Sequence, residues 1–228
     1  MALRVLIGPD GPEGEPDDHR LAELYAVPRA PWLRVNFVST VDGAATGEDG
    51  RSGSINDAID RRVFDLLRRL ADVVVVGAGT ATIERYRPVD RPIAVVSRRG
   101  VVPPLLAGAG DGSVLLVTCA EAPGLEDARA GLGGDQVLVL GEDAVDLRRL
   151  GPALAERGLP RQLCEGGPHL FRDLLAADAV DELCATVVPR LVAGPHPRIT
   201  AGPPVDVDLR LDLLLEHAGT LLGRWRRT

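Results

Sequence analysis

The stretch Leu70-Ala71-Asp72-Val73-Val74-Val75-Val76-Gly77-Ala78-Gly79-Thr80 decides the fold. Val73 to Val76 are four consecutive valines with no alternation of apolar and polar side chains. Such a run suits a strand covered on both faces, as in a parallel sheet. Gly77 and Gly79 follow at its carboxyl end, where an open α/β sheet binds its ligands. On the amino-terminal side, Val63, Leu66, Leu67 and Leu70 recur at spacings of three and four. That stripe is the buried face of a helix over 57–70, with Asn56 or Asp57 as its cap.

The same alternation extends in both directions. Short Val-, Ile- and Leu-rich runs predict strands over 3–7, 33–39, 73–77, 93–97, 114–118, 136–140, 162–164 and 182–188. Helical spacing predicts helices over 18–25, 57–70, 123–131, 146–157 and 168–176. Runs over 207–216 and 220–226 flank His217-Ala218-Gly219 and read as a closing β-hairpin. The expected fold is α/β: a mostly parallel central sheet flanked by helices, ending in an antiparallel C-terminal hairpin. No repeat or linker divides the chain, so residues 1–228 are read as one domain.

Composition narrows the function. The 26 basic residues are all arginine, and the formal net charge is −7. Without lysine there is no Schiff-base nucleophile and no phosphate-loop NTPase motif. The acidic balance argues against a general nucleic-acid binder. Cys119, Cys164 and Cys184 lie far apart without metal-ligand spacing, which suits reduced thiols in a cytoplasmic protein. His19, His169, His196 and His217 form no metal-binding pattern, so no metal is expected. The opening residues MALRVLIGPDG are too short an apolar run for a signal peptide, and no stretch suits a membrane span.

Four strand ends carry chemistry. Ser39-Thr40-Val41-Asp42-Gly43 puts a carboxylate where the backbone turns sharply, though an ordinary Asp-Gly turn has the same form. Gly77-Ala78-Gly79-Thr80 lets the backbone approach a phosphate at a following helix start. It is not a Rossmann fingerprint, because Thr82 stands where the third glycine would be. The next strand ends in Ser97-Arg98-Arg99, and arginines with a hydroxyl suit the 2′-phosphate of NADP. Cys164-Glu165-Gly166-Gly167-Pro168 places a carboxylate and two glycines before a helix opened by proline. A small polar loop, Ser52-Gly53-Ser54-Ile55-Asn56, leads into the arginine-bearing helix and could hold a phosphoryl group.

In this order and spacing the motifs resemble the riboflavin-biosynthesis pyrimidine reductase family. That is the C-terminal reductase domain of the bifunctional deaminase–reductase, here of the stand-alone actinobacterial type, with a dihydrofolate reductase-like fold. The resemblance spans 32–228 and leaves 1–31 as an N-terminal extension. The deaminase half is absent, since no H-x-E with P-C-x-x-C occurs. The resemblance implies reduction of 5-amino-6-(5-phosphoribosylamino)uracil to its ribitylamino product by NADPH, with hydride going to the anomeric carbon. It places Ser54, Gly77, Gly79, Thr80, Glu84, Ser97 and Arg98 against the cofactor, together with the turn Gly166-Gly167-Pro168-His169-Leu170. Ser52, Arg68 and Arg91 would hold the substrate and its phosphate. Glu165 would contact substrate near the reacting centre with Asp42 nearby, and either carboxylate could supply the proton. The partners expected are a phosphorylated pyrimidine and, in a homodimer, a second copy whose contact would cover the hairpin's edge strands over 209–215. The loop Glu84-Arg85-Tyr86-Arg87-Pro88-Val89-Asp90-Arg91 departs from the family's Asp-Asp-Pro-x-Leu-Thr-Val-Arg, although Arg91 falls at its arginine. Two rivals follow: a same-fold NADPH reductase of dihydrofolate or another pterin or pyrimidine, and a catalytically idle NADPH-binding module.

Overall fold

Ten strands are β1 (Arg4–Ile7), β2 (Trp32–Thr40), β3 (Val73–Gly77), β4 (Ile93–Val96), β5 (Val114–Thr118), β6 (Val137–Val139), β7 (Arg161–Cys164), β8 (Glu182–Val188), β9 (Leu209–His217) and β10 (Thr220–Arg227). Six α-helices are α1 (Asp18–Leu24), α2 (Ala58–Leu70), α3 (Ala78–Ile83), α4 (Leu125–Leu132), α5 (Leu150–Glu156) and α6 (Pro168–Ala176). The computed structural model describes residues 2–228. All ten strands join one sheet in the order β1-β9-β10-β8-β2-β7-β3-β4-β5-β6. From β8 to β6 every pairing is parallel. The β8–β10, β10–β9 and β9–β1 pairings are antiparallel. This is the mostly parallel sheet with an antiparallel C-terminal end that the sequence led us to expect. Among the described residues no helix is long and apolar enough to cross a membrane.

The valine run behaves as its pattern requires. Val73 and Val75 enter one hydrophobic cluster, Val74 and Val76 another, and all four are fully buried. β3 therefore separates two cores, which is why it tolerates no polar alternation. The Asp57 side chain caps α2 by accepting from the amides of Ile59 and Asp60 at 3.1 and 2.9 Å. Ile59, Val63, Leu66 and Leu67 face a third cluster beneath the other half of the sheet.

Two elements differ from the sequence expectation. α3 supplies the helix start expected after the glycine turn but begins inside it, at a place where no helix range was expected, because Gly77 acts as its cap and Ala78–Ile83 continue as a helix. The single helix expected over 146–157 divides into a 3-10 turn, Leu147–Arg149, and α5. The hairpin also sits differently from its expected role. β10 lies between β9 and β8, and β1 pairs with β9 only at Leu214–Glu216, so the hairpin's outer edge is covered at one end while Leu209–Leu213 has no strand partner on that side among the described residues. Residues before the family-like core build part of this arrangement. β1 supplies the covering strand, and Leu21, Leu24 and Tyr25 join the cluster under α2.

Between α1 and β8 lies a buried charge cluster. Glu182 is fully buried and accepts from Arg34 Nε at 2.5 Å. Arg224 Nη2 lies 2.8 Å from its other oxygen, and Trp32 Nε1 donates there at 3.2 Å. The carbonyls of Leu24, Tyr25 and Ala26 take up further guanidinium donors, while Arg224 Nε is buried without a partner. Burial alone would raise the Glu182 pKa, but the two arginines outweigh it and hold the carboxyl below its ordinary value. Removing the carboxylate would leave two guanidinium groups uncompensated in the interior. Glu182→Ala is therefore expected to lower stability by about 3–5 kcal/mol in urea unfolding at pH 7. A loss under 1 kcal/mol would show that the arginines find other partners.

Candidate active site

The carboxyl ends of β2, β3, β4 and β7 open onto two chambers. The first, about 670 Å³, is walled by Phe37, Phe64, Arg68, Tyr86 and Glu165 among others. The second, about 690 Å³, is walled by Ser97, Arg98, Arg99, Val145 and Leu147 among others. Gly79, Thr80, Gly167, Pro168 and His169 line both, so the chambers meet at that neck.

The neck exists because two strand–helix turns touch through glycine. The Gly77 amide donates to the Gly166 carbonyl at 2.8 Å, joining the β3–α3 turn to the β7–α6 turn. A Cβ on Gly166 would lie 2.8 Å from Phe37 Cζ, and its φ of 97° disfavours any side chain. On Gly167 a Cβ would lie 2.1 Å from Thr80 Oγ1. α6 then begins with Pro168 in its first turn, and its open amides face the neck. A glycine-lined passage beside a helix start suits a pyrophosphate, and the exposed Arg98 and Arg99 in the second chamber suit a further phosphate. The residues present thus fit a phosphorylated dinucleotide. Among the described residues no group of three His, Cys, Asp or Glu could hold a metal.

Glu165 stands in the first chamber beside the neck, only 8% exposed. Arg68 of α2 grips it with a fork, Nε to Oε1 and Nη2 to Oε2, both at 2.7 Å. Tyr86 donates its hydroxyl to Oε2 at 2.5 Å. The guanidinium carbon of Arg68 lies 4.4 Å from the centre of the Phe64 ring, which fixes the fork's plane. Burial and the adjacent Glu165 push the Tyr86 phenol well above its usual pKa, so it stays protonated and donating. The carboxyl oxygens of Glu165 accept in all three bonds, which fixes the group at the chamber wall.

The other expected residues divide into those at the chambers and those elsewhere. Ser52 lines the first chamber, and its amide donates to Glu84 Oε1 at 2.8 Å, so Glu84 ties that loop to α3. Ser97 and Leu170 wall the second chamber, where the Ser97 hydroxyl also accepts from the Val101 amide at 2.9 Å. Ser54 is exposed, with its hydroxyl donating to Asp49 at 2.6 Å, and it lines neither chamber. Asp42 is likewise outside. Its carboxylate is bound by the Thr40 hydroxyl and the amides of Ala193 and Val192, which lower its pKa. It is a turn anchor in this structure and lines neither chamber. Arg91 also turns away, donating to the carbonyls of Ala71 and Arg69 at 2.6 and 2.8 Å. Its place at the chamber is taken by Arg85 and Arg87 of the same loop.

Three residues of the first chamber escaped the sequence reading. Tyr86 is one of only two tyrosines in the chain, a scarcity that could have marked it. Asp60 is 3% exposed on the face of α2 that otherwise buries Ile59 and Val63, a break in the apolar stripe that could have marked it too. Burial pushes its pKa up to about 6, only partly opposed by the Thr186 hydroxyl. Asn56 was expected as a possible cap and as the end of a polar loop suited to a phosphoryl group, not as an open acceptor in its own right. It lines the same chamber, with a buried Oδ1 that has no partner.

Residues 31–220 match the family described as the RibD C-terminal domain. The chain is 29% identical over 170 residues to the 2,5-diamino-6-ribosylamino-4(3H)-pyrimidinone 5′-phosphate reductase of Archaeoglobus fulgidus, covering 67% of this chain and 78% of that one. It is 28% identical over 163 residues to the reductase of the same name from Methanothermobacter thermautotrophicus, covering 67% and 75%. Among solved structures, a pyrimidine reductase-like protein of Corynebacterium diphtheriae shares the fold with a TM-score of 0.76 at 24% identity, over 87% of this chain and 92% of that one.

The raised pKa of Asp60 has a signed consequence for stability. A carboxyl whose folded pKa lies above its unfolded value favours the native state while protonated, and that contribution is lost as pH rises through the folded pKa. The window runs from about 4 to about 6. Relative to Asp60→Asn, the wild-type protein should therefore lose about 2–3 kcal/mol between pH 4 and pH 7, at roughly 1.4 kcal/mol per pH unit. Parallel urea titrations at these two pH values measure it, and parallel stability curves for the two proteins would contradict it.

Proposed function

Because this chain belongs to the RibD C-terminal domain family, we propose that it is an NADPH-dependent reductase of riboflavin biosynthesis, turning the ribosyl group of a phosphoribosylamino-pyrimidine into a ribityl chain. The observation that carries this reading is the Glu165 carboxylate, clamped by Arg68 and Tyr86 at the wall of a chamber that opens onto a glycine-lined neck. The reaction adds a hydride to the anomeric carbon and a proton to the ring oxygen that leaves it. NADPH supplies the hydride when bound.

The chain's own residues do the rest. The neck at Gly167 and Thr80 would hold the diphosphate, and Arg98 and Arg99 the 2′-phosphate. That seats the flat end of the cofactor in the first chamber. Arg85 and Arg87 would meet the substrate phosphate. As the ring opens, positive charge develops at the anomeric carbon, and a fixed carboxylate nearby stabilises it without reorganising. Glu165 is thus assigned to charge stabilisation, with water or the bound substrate's own hydroxyls carrying the proton. Hydride transfer between two aligned ligands requires nothing covalent from the protein.

Arg91, tied to backbone carbonyls, favours a second reading in which the ligand lacks the expected phosphate and is a pterin such as dihydrofolate. Activity in the cytoplasm and pairing as a homodimer belong to the main reading. The homodimer rests on the family resemblance and on the edge of β9 over 209–213 that β1 leaves uncovered, and light scattering at micromolar concentration should give twice the chain mass.

Absorbance at 340 nm with ribosylaminopyrimidine phosphates tests the reaction directly. Glu165→Gln keeps the shape of the site and removes its charge, so kcat should fall by about 10²–10⁴ while NADPH affinity stays unchanged. Full kcat in this variant would remove Glu165 from the chemistry. The double change Arg98→Ala, Arg99→Ala should cut the preference for NADPH over NADH by roughly 10- to 100-fold, the worth of about 1.5–3 kcal/mol in charge-assisted bonds. Equal Michaelis constants for the two cofactors in the wild-type enzyme would contradict the assignment.

A further inference from the structure

We propose that Asp60 and Asn56 form an acceptor pair that reads the adjacent N–H and amino donors of a 2-aminopyrimidin-4-one, so that this chain selects a substrate still carrying its 2-amino group over the corresponding uracil. The proposal rests on the reductase reading and names the heterocycle which that site takes.

Asn56 immediately precedes the Asp57 cap of α2 and Asp60 lies in its first turn, and both line the first chamber. Arg68 lies two turns further along the same helix and holds Glu165. From Asp60 to Arg68 is about 12 Å along the axis at 1.5 Å per residue. α2 thus spans the chamber, with Glu165 at one end for the reacting carbon and Asp60 at the other for the ring.

The chemistry at the Asp60 end is one-sided. Among the described residues no arginine comes within ion-pair distance of Asp60; the Thr186 hydroxyl faces it, while Asp57 and Arg61 act on it from farther off with opposite signs. The neighbouring Asn56 Oδ1 is buried without a partner. Buried acceptors of this kind are normally satisfied, and a set left open at a cavity wall calls for donors from a ligand. With its pKa raised to about 6, Asp60 is mostly ionised at neutral pH and accepts on both oxygens. A 2-amino-4-oxo ring offers an N–H and an NH₂ side by side, which match two acceptors. Uracil turns a carbonyl toward the same place, leaving an acceptor unpaired against an acceptor. Sites built on such hydrogen bonds reject the mismatched analogue strongly.

A pterin carries the same edge, so the experiment includes both sources. NADPH oxidation is measured with 2,5-diamino-6-ribosylaminopyrimidinone 5′-phosphate, with the deaminated uracil compound and with dihydrofolate, on wild type, Asp60→Asn and Asn56→Ala. Calorimetry measures binding of the same compounds without cofactor. The expected result is a wild-type preference for the amino compound over the uracil of at least about 100-fold in kcat/KM. Asp60→Asn, which offers an NH₂ where the carboxylate stood, should narrow that to within about tenfold, chiefly through KM. Asn56→Ala should weaken the amino compound and leave the uracil unchanged. A dihydrofolate rate above both pyrimidine rates that drops in Asp60→Asn would make the pterin the source of the edge and uphold its reading by Asp60. Equal use of the two pyrimidines by wild type, a uracil preference, or an unchanged ratio in Asp60→Asn would overturn the proposal. If no compound drives NADPH oxidation, the reductase reading fails separately and calorimetry decides the edge. Tight binding of the amino compound that Asp60→Asn weakens would uphold it, and absent or unaltered binding would overturn it.

Discussion

The contact between two strand–helix turns governs this molecule. The Gly77 amide meets the Gly166 carbonyl, and the Gly167 Cα lies against Thr80 where no side chain would fit. With backbone packed on backbone, β3 and β7 stay adjacent to their last residues, and the starts of α3 and α6 converge on one point. The two chambers join there. A methyl group on either glycine of β7's exit would drive Phe37 or Thr80 away and split the cleft. The same contact orients Glu165, which precedes Gly166 and donates its amide to the Val75 carbonyl at 2.9 Å. Its carboxylate therefore leaves the strand at a defined height above the sheet.

Three buried carboxylates show how partners decide what a charge does. Glu182 has two arginines and a ring of backbone carbonyls around them, which makes it a structural bolt between α1 and the sheet. Glu165 has one arginine and one phenol, enough to fix its position while leaving it at a cavity wall. Asp60 has no cation within ion-pair reach among the described residues, and it alone of the three has its pKa pushed up to about 6. Burial raises the pKa of both Glu182 and Asp60, and only Glu182 has gained cations enough to reverse it. Stability and function draw on the same interaction at different degrees of completion.

The antiparallel end of the sheet supports this cleft from behind. β10 borders β8, β8 borders β2, and β2 carries Phe37 to the underside of Gly166. The N-terminal strand pairs with β9, so the family-like core and the segment before it share one hydrophobic cluster.

Local pattern was enough for the parallel sheet, the hairpin and most helices. Val73–Val76 carry no polar residue because both faces are covered, and α2 shows its stripe because only one face is. Glu165-Gly166-Gly167 and Gly77-Ala78-Gly79-Thr80 were legible because close backbone approach requires glycine at fixed places. Tertiary structure alone decided which charges reach the cleft. Asp42 and Arg91 are good candidates in one dimension, yet both are consumed by backbone groups that only the folded loops bring near. Tyr86 enters the site because its loop folds back over α2, and Asp60 because α2 turns that side toward a cavity instead of a core. A periodicity reports that a face is buried. What the face is buried against depends on chain segments more than a hundred residues away, such as Thr186 opposite Asp60, and no local spacing encodes them.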